Sequence, residues 1–194
     1  MPMTAVPWLA LMSAPPSLIK STGTTLFAGT VASMSQTEIN PLAAADRNHA
    51  FKLAYAAYPR LAEELDNPAL RIDLGVAAFL QNRAEDDGVR RFRGGPFAGD
   101  YAVSTALHVR YPHVGQGEST SVVHSARIRL SDRIDAASAR QVAEALEVWQ
   151  DGMDPRSAAL AVAERLDALY TRMGVPTRLR QLQIPHDEIG RAHV

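Results

Sequence analysis

The chain has 194 residues, and its 20 Lys+Arg against 21 Asp+Glu leave it almost neutral. That balance excludes a nucleic-acid grip driven by bulk positive charge, which needs a basic face to displace counterions. With 46% hydrophobic and 21% charged residues the composition is globular rather than disordered, and the length supports one full core or two small ones. The absence of cysteine removes disulfides, thiolate metal sites and cysteine nucleophiles together, and is compatible with a reducing cytoplasm, the expected compartment.

In chain order, Ala5 to Ala14 (AVPWLALMSA) form the first apolar stretch. No basic segment precedes it, and it falls short of the ~20 apolar residues a membrane-spanning helix needs. Residues 1–20 therefore read as an apolar lead-in packed on a core, with a cleaved secretory signal as the alternative. Ser21 or Thr22 can cap a segment carrying Leu26, Phe27, Val31 and Met34 at near-helical spacing, which Gly23, Gly29 and the threonines weaken. Asn40-Pro41 is a stronger start, an N-cap followed by proline at the first helical position, with Leu42, Ala45, His49, Leu53 and Ala56-Ala57 on one side. Pro59 must kink or end that helix.

Asn67-Pro68 repeats the same chemistry before a stripe of Leu70, Leu74, Ala77, Ala78 and Phe79. The polar run QNRAEDDG (81–88) follows. Residues 88–97, with Arg90-Arg91-Phe92-Arg93-Gly94-Gly95-Pro96, read as a loop or hinge in which the arginines stay solvated or clasp an anion. Ala98 to Arg110 is helix-like, and YPHVGQG (111–117) is a connector. Glu118 to Leu130 is either a helix or a buried extended run, being rich in Ser, Thr and Val. Ile134, Val142, Leu146 and Trp149 mark one more helix. Asp154-Pro155 opens another, with a wide apolar face from Ala159 to Met173 and Gly174 as its stop. Trp8, Trp149, Tyr55 and Tyr58 read as packing residues.

No repeat or run of strands is visible. The fold expected is all-α, a helical bundle-like domain over 21–190 with no nucleotide-binding domain. The usual catalytic motifs are absent too. There is no Gly-x-Ser-x-Gly elbow, Ser119, Ser121 and Ser125 have no recognisable base, and neither His-x-x-x-His nor His-Glu-x-x-His occurs.

Four segments, in order, resemble the C-terminal helical domain of the iron-containing alcohol dehydrogenases, a branch of the dehydroquinate-synthase-like superfamily. They are Ser21-Thr22-Gly23-Thr24-Thr25-Leu26, Ile39-Asn40-Pro41-Leu42-Ala43, the turn Arg110 to Glu118 (RYPHVGQGE) and Gly174-Val175-Pro176-Thr177-Arg178-Leu179. The resemblance implies the helical half alone. A full member begins with an α/β nucleotide-binding domain, and Gly94-Gly95 lacks the strand-turn-helix setting of a phosphate cradle.

The family holds iron or zinc with an Asp and a His one turn apart on a helix and two further His downstream. In this chain the matching positions are Thr25 and Gly29, then Tyr101 or Ala102 depending on a one-residue gap, then Gln116. None is a carboxylate or imidazole, so the resemblance implies a degenerate, metal-free site whose former ligand positions line the old substrate cleft. His108, His113 and His124, with Asp100 and Glu118 nearby, are the candidates for a relocated ion. The alternative is that these histidines are hydrogen-bonded to backbone.

His113 and Glu118 flank the turn that lines the family's cleft and are the candidate acid/base pair. Against this stands the reading that Glu118 charges the start of the following helix. Three functions stay open. The first is an alcohol dehydrogenase-like oxidoreductase component, truncated and metal-free, that takes NAD(P) only through a nucleotide-binding partner subunit and holds no cofactor alone. The second is a non-catalytic binding or assembly module, forming a homo-oligomer or pairing with a fuller homologue. The third is a metal-free isomerase, lyase or cyclase using the old cleft. Neither nucleic acid nor membrane is an expected partner.

Overall fold

A computed structural model describes residues 12–89 and 95–185. Among these residues there are seven helices and no strand, so the fold is all-α. They are α1 (Pro16–Met34), α2 (Pro41–Leu61), α3 (Pro68–Asp86), α4 (Tyr101–Arg110), α5 (Gln116–Leu130), α6 (Ala136–Ala145) and α7 (Pro155–Met173). Short 3-10 turns at Gly95–Ala98 and Leu179–Leu182 complete the described chain. No helix among the described residues is long and apolar enough to cross a membrane.

The start and stop chemistry acts as the sequence predicts at three helices. Asn40 accepts from the Ala43 N–H at 2.9 Å, Asn67 from Ala69 at 3.0 Å, and Asp154 from Arg156 and Ser157, each with proline at the next position. Gly174 closes α7 in the left-handed conformation at φ 77°.

Elsewhere the boundaries move. The first helix begins at Pro16, not at Ser21 or Thr22, so the boundary placed at residue 20 falls inside it. Its interior threonines donate to carbonyls one turn back, Thr22 to Leu18, Thr24 to Lys20 and Thr25 to Ser21, which satisfies their hydroxyls without ending the helix. Pro59 sits within the last turn of α2, which ends two residues later. Residues 116–130, ambiguous in sequence, are helical, and α4 starts at Tyr101 rather than Ala98. The helix read from Ile134 to Trp149 is shorter, at Ala136–Ala145. The Arg90–Arg93 and Gly94 part of the hinge, and most of the N-terminal lead-in, lie outside the described residues. Of that lead-in, the Met12 and Ala14 carbonyls accept from the buried Arg71 guanidinium.

The buried face of α2 is also displaced. Leu42, Ala45 and His49 are exposed, while Ala43, Ala50, Phe51, Ala54, Ala57, Tyr58 and Leu61 face inward together with Asp46 and Arg47. The two charged residues hide this face in the sequence. Asp46 is paired to Arg83 of α3 and Arg47 donates to the Gln36 carbonyl, so both enter the protein with partners. On α3 the stripe of Leu70, Leu74 and Ala77 is buried as read, but Phe79 is 63% exposed, with the Arg83 guanidinium over its ring. The Asn40 amide reaches the Asp87 carbonyl at 2.7 Å and ties the open end of this α2–α3 hairpin.

α1 lies in the middle, touching α2, α3, α5, α6 and the first 3-10 turn. Its Phe27 stacks on Tyr58 of α2, with ring centroids 4.6 Å apart and planes 8° off parallel, and meets the edge of Tyr170 of α7 at 6.3 Å. Such aromatic contacts add about 0.5–1.5 kcal/mol each beyond the apolar area they bury. The Tyr58 hydroxyl donates to Thr24 at 2.7 Å, because the single Thr24 proton is already given to the Lys20 carbonyl.

α1 meets α5 at a much closer crossing. A β-carbon built on Gly117 would lie 2.3 Å from the Ser21 carbonyl oxygen and 2.6 Å from the Ser21 α-carbon. Only glycine fits there, and at the same point Ser21 Oγ accepts from the Gly117 N–H at 2.8 Å and donates to Glu118 at 3.0 Å. α5 carries the first 3-10 turn through His124, which is 1% exposed. Its Nε2 lies 2.8 Å from the Phe97 carbonyl, and a carbonyl only accepts, so Nε2 bears the proton. Nδ1 then accepts from the Tyr170 hydroxyl at 2.7 Å.

Gly117→Ala should destabilise the protein by at least ~2 kcal/mol, since the new methyl meets backbone that cannot swing aside. Urea unfolding checks this, and a loss below about 0.5 kcal/mol would contradict the close crossing. Burial lowers the His124 pKa from its ordinary value to about 4. The unfolded chain, at ~6.5, therefore takes up this proton first as pH falls. Stability should decline between about pH 6.5 and 4, by up to ~1.4 kcal/mol per unit, and His124→Gln should flatten that slope in urea titrations at several pH values.

Candidate functional site

A cavity of about 170 Å³ opens where α1, the N-terminus of α4 and the first half of α5 converge. α1 contributes Thr25, Ala28, Gly29 and Ala32, which recur every three or four residues and so form one stripe. The end of the 3-10 turn and α4 contribute Ala98, Gly99, Asp100, Tyr101 and Ser104. From α5 come Gln116, Thr120, Val123 and His124, again on one helix face.

Thr25, Gly29, Tyr101 and Gln116 are thus brought together from three helices 91 residues apart in sequence at the extremes. Of the two alternatives at the third position, Tyr101 lines the cavity and the exposed Ala102 does not. Sequence reasoning missed Ser104 and Thr120. Both were within reach of it, since Ser104 is four residues beyond Asp100 and Thr120 four beyond Gln116 on the same faces.

The serine and threonine hydroxyl protons around the cavity are committed to backbone. Thr25 donates to Ser21, Ser104 to Tyr101 and Thr120 to Gln116, at 3.2, 3.1 and 2.8 Å. Asp100 caps α4 by accepting from the Val103 N–H at 3.0 Å. His124 forms part of the inner wall, held neutral by burial and engaged at both nitrogens. Gly99, at φ 66°, lets the chain pass over it, and a β-carbon there would stand 3.4 Å from the imidazole.

The three histidines proposed for a relocated ion do not share a place. His108 Nδ1 turns back to the Ser104 carbonyl of its own helix, His113 Nε2 donates to the Leu182 carbonyl at 3.0 Å, and His124 is in the core. Among the described residues no three His, Asp or Glu side chains form a group able to hold a metal ion. His113 and Glu118 line a second, open groove beside Gly174, Pro176 and Gln181. No hydrogen bond joins the two among the described residues. Glu118 lies in the first turn of α5 and holds Ser21, while His113 fastens the second 3-10 turn. The Gly174 to Leu179 segment wraps this groove. There Gln181 Oε1 accepts from the Thr177 and Arg178 N–H groups, both at 2.8 Å, and Ser121 donates to the Pro176 carbonyl.

Gly95 belongs to a 3-10 turn, and Gly94 lies outside the described residues. Trp149 packs against the main core with Arg140 over its ring, and Tyr58 is fully buried.

No protein family defined by sequence matches the chain, and no curated protein matches it. Among solved structures it is similar to sulfoacetaldehyde reductase from Bifidobacterium kashiwanohense, crystallised in complex with NAD+, with a TM-score of 0.63 at 16% identity. The match covers 93% of this chain and 44% of that enzyme, so the chain spans less than half of its length. At this identity the likeness establishes a shared helical fold.

Proposed function

We propose that this chain is the helical, substrate-facing component of an alcohol dehydrogenase-like oxidoreductase, with the cavity between α1, α4 and α5 as its cleft. The carrying observation is the convergence on that cavity of Thr25, Gly29 and Gln116, three positions that the family resemblance assigns to metal ligands, with Tyr101, one of the two alternatives for the remaining position. The fold likeness to an NAD+-bound reductase supports the same reading, and more than half of that enzyme lies outside the match. In this reading NAD(P) is supplied from outside the helical domain, in line with the part of that enzyme that lies beyond the match.

The donor set does not fit iron or zinc. Two hydroxyls, an amide and a glycine stand where the family has carboxylate and imidazole, Asp100, the one carboxylate lining the cavity among the described residues, caps α4, and both nitrogens of His124 are engaged. What these residues can do is bind and orient a small molecule through hydroxyl and amide groups.

A non-catalytic assembly module is the second reading. It is favoured by the commitment of His113 and Glu118 to scaffold bonds, and by the 63% and 69% exposure of the apolar Phe79 and Leu42. A homo-oligomer or a partner subunit would cover such side chains.

Reinstating the ligands tests the first reading. The combined variant Thr25→Asp, Gly29→His, Tyr101→His and Gln116→His should bind zinc in competition titrations where the parent does not. A folded variant without zinc affinity would remove the assignment of these positions. NADH added to the 194-residue chain alone should give no saturable fluorescence change, and tight binding would contradict the reading that NAD(P) is supplied from outside the helical domain.

A further inference from the structure

We propose that the cavity between α1, α4 and α5 recognises a small molecule through a primary ammonium group and discriminates against small anions. This rests on the cavity being the ligand site.

The hydroxyl protons of Thr25, Ser104 and Thr120 are all spent on backbone carbonyls, so what these groups turn to a ligand is oxygen lone pairs. Asp100 adds a carboxylate whose Oδ1 holds the α4 cap and whose Oδ2 carries no hydrogen bond among the described residues. His124 has no free nitrogen. Gln116 and Tyr101 can serve either role and do not discriminate. No Lys or Arg lines the cavity among the described residues, and Asp100 is its one charged side chain. An entering carboxylate or phosphate would meet acceptors and a like charge, whereas an ammonium group brings three donors and the complementary charge.

The N-termini of α4 and α5 both begin at the cavity, and helix N-termini favour anions. The α5 end has no side-chain cap, but each end carries an acidic side chain of this chain. Asp100 caps α4, and on α5 Glu118 lies in the first turn while Ser21 Oγ takes the Gly117 N–H. With a carboxylate at each positive end, the acceptor lining decides the sign. At about 170 Å³ the cavity is smaller than the roughly 300–1,000 Å³ of pockets for drug-sized ligands, so it suits a molecule of a few heavy atoms.

The test is a titration of the full chain by two-dimensional amide NMR with ethanolammonium chloride, with sodium acetate, and with sodium chloride as the salt control. Saturable shifts at Gly29, Ser104 and Gln116 are expected with ethanolammonium and not with acetate. Asp100→Asn removes the charge and retains a good N-cap, so it should weaken ethanolammonium at least tenfold with the helices intact. Acetate binding at these amides in place of ethanolammonium, or an unchanged affinity in Asp100→Asn, would overturn the ammonium assignment and leave the cavity as a ligand site. Silence with both ligands would overturn the ammonium assignment and the cleft reading together.

Discussion

The close crossing of α1 and α5 sets the geometry of the rest of the molecule. Gly117 lets the Ser21 backbone approach within a distance that no side chain permits, and Ser21 Oγ completes the contact by bonding the Gly117 N–H and Glu118. Two helices rich in serine, threonine and glycine can pack this tightly because their hydroxyls fold back on carbonyls of the same helix and leave little polar capacity unsatisfied. Further along, the same pair of helices leaves a small cavity of mixed polar and apolar lining, which the start of α4 covers.

That cover is positioned from the core. His124 donates to the Phe97 carbonyl and accepts from Tyr170, whose ring contacts the Phe27–Tyr58 stack. The aromatic cluster joining α1, α2 and α7 is thereby linked, through one neutral imidazole, to the turn that presents Gly99 and Asp100 to the cavity. Burial drives this histidine neutral, and neutrality is what its two bonds require, because a protonated ring could not accept from the tyrosine. The residue that in sequence invited a metal reading is spent on holding the cavity wall.

How much of this could be read beforehand differs by element. α2, α3 and α7 announce themselves through Asn-Pro or Asp-Pro starts and, for α7, a glycine stop, since capping is local chemistry. α1 and α5 do not, because their interior hydroxyls look like turn formers until their backbone acceptors are seen. The inward face of α2 was misread because Asp46 and Arg47 are buried on it, and only their pairing with Arg83 and the Gln36 carbonyl makes that affordable. Of the candidate site, the ordered family-like segments imply Thr25, Gly29, Tyr101 or Ala102, and Gln116. Ser104 and Thr120, one turn beyond Asp100 and Gln116 on the same helix faces, join them in the cavity.

The sequence by itself determined the all-helical class, the helix starts that depend on neighbouring residues, and the lack of carboxylate or imidazole at the four positions marked by resemblance. These are matters of residue identity and short spacing. Tertiary structure alone decided that those positions share a cavity, that His108, His113 and His124 lie apart, and that Glu118 belongs to a helix crossing. Each of these depends on contacts between residues far apart in the chain, and such contacts are fixed by packing and hydrogen-bond satisfaction across the whole core, which no local pattern encodes.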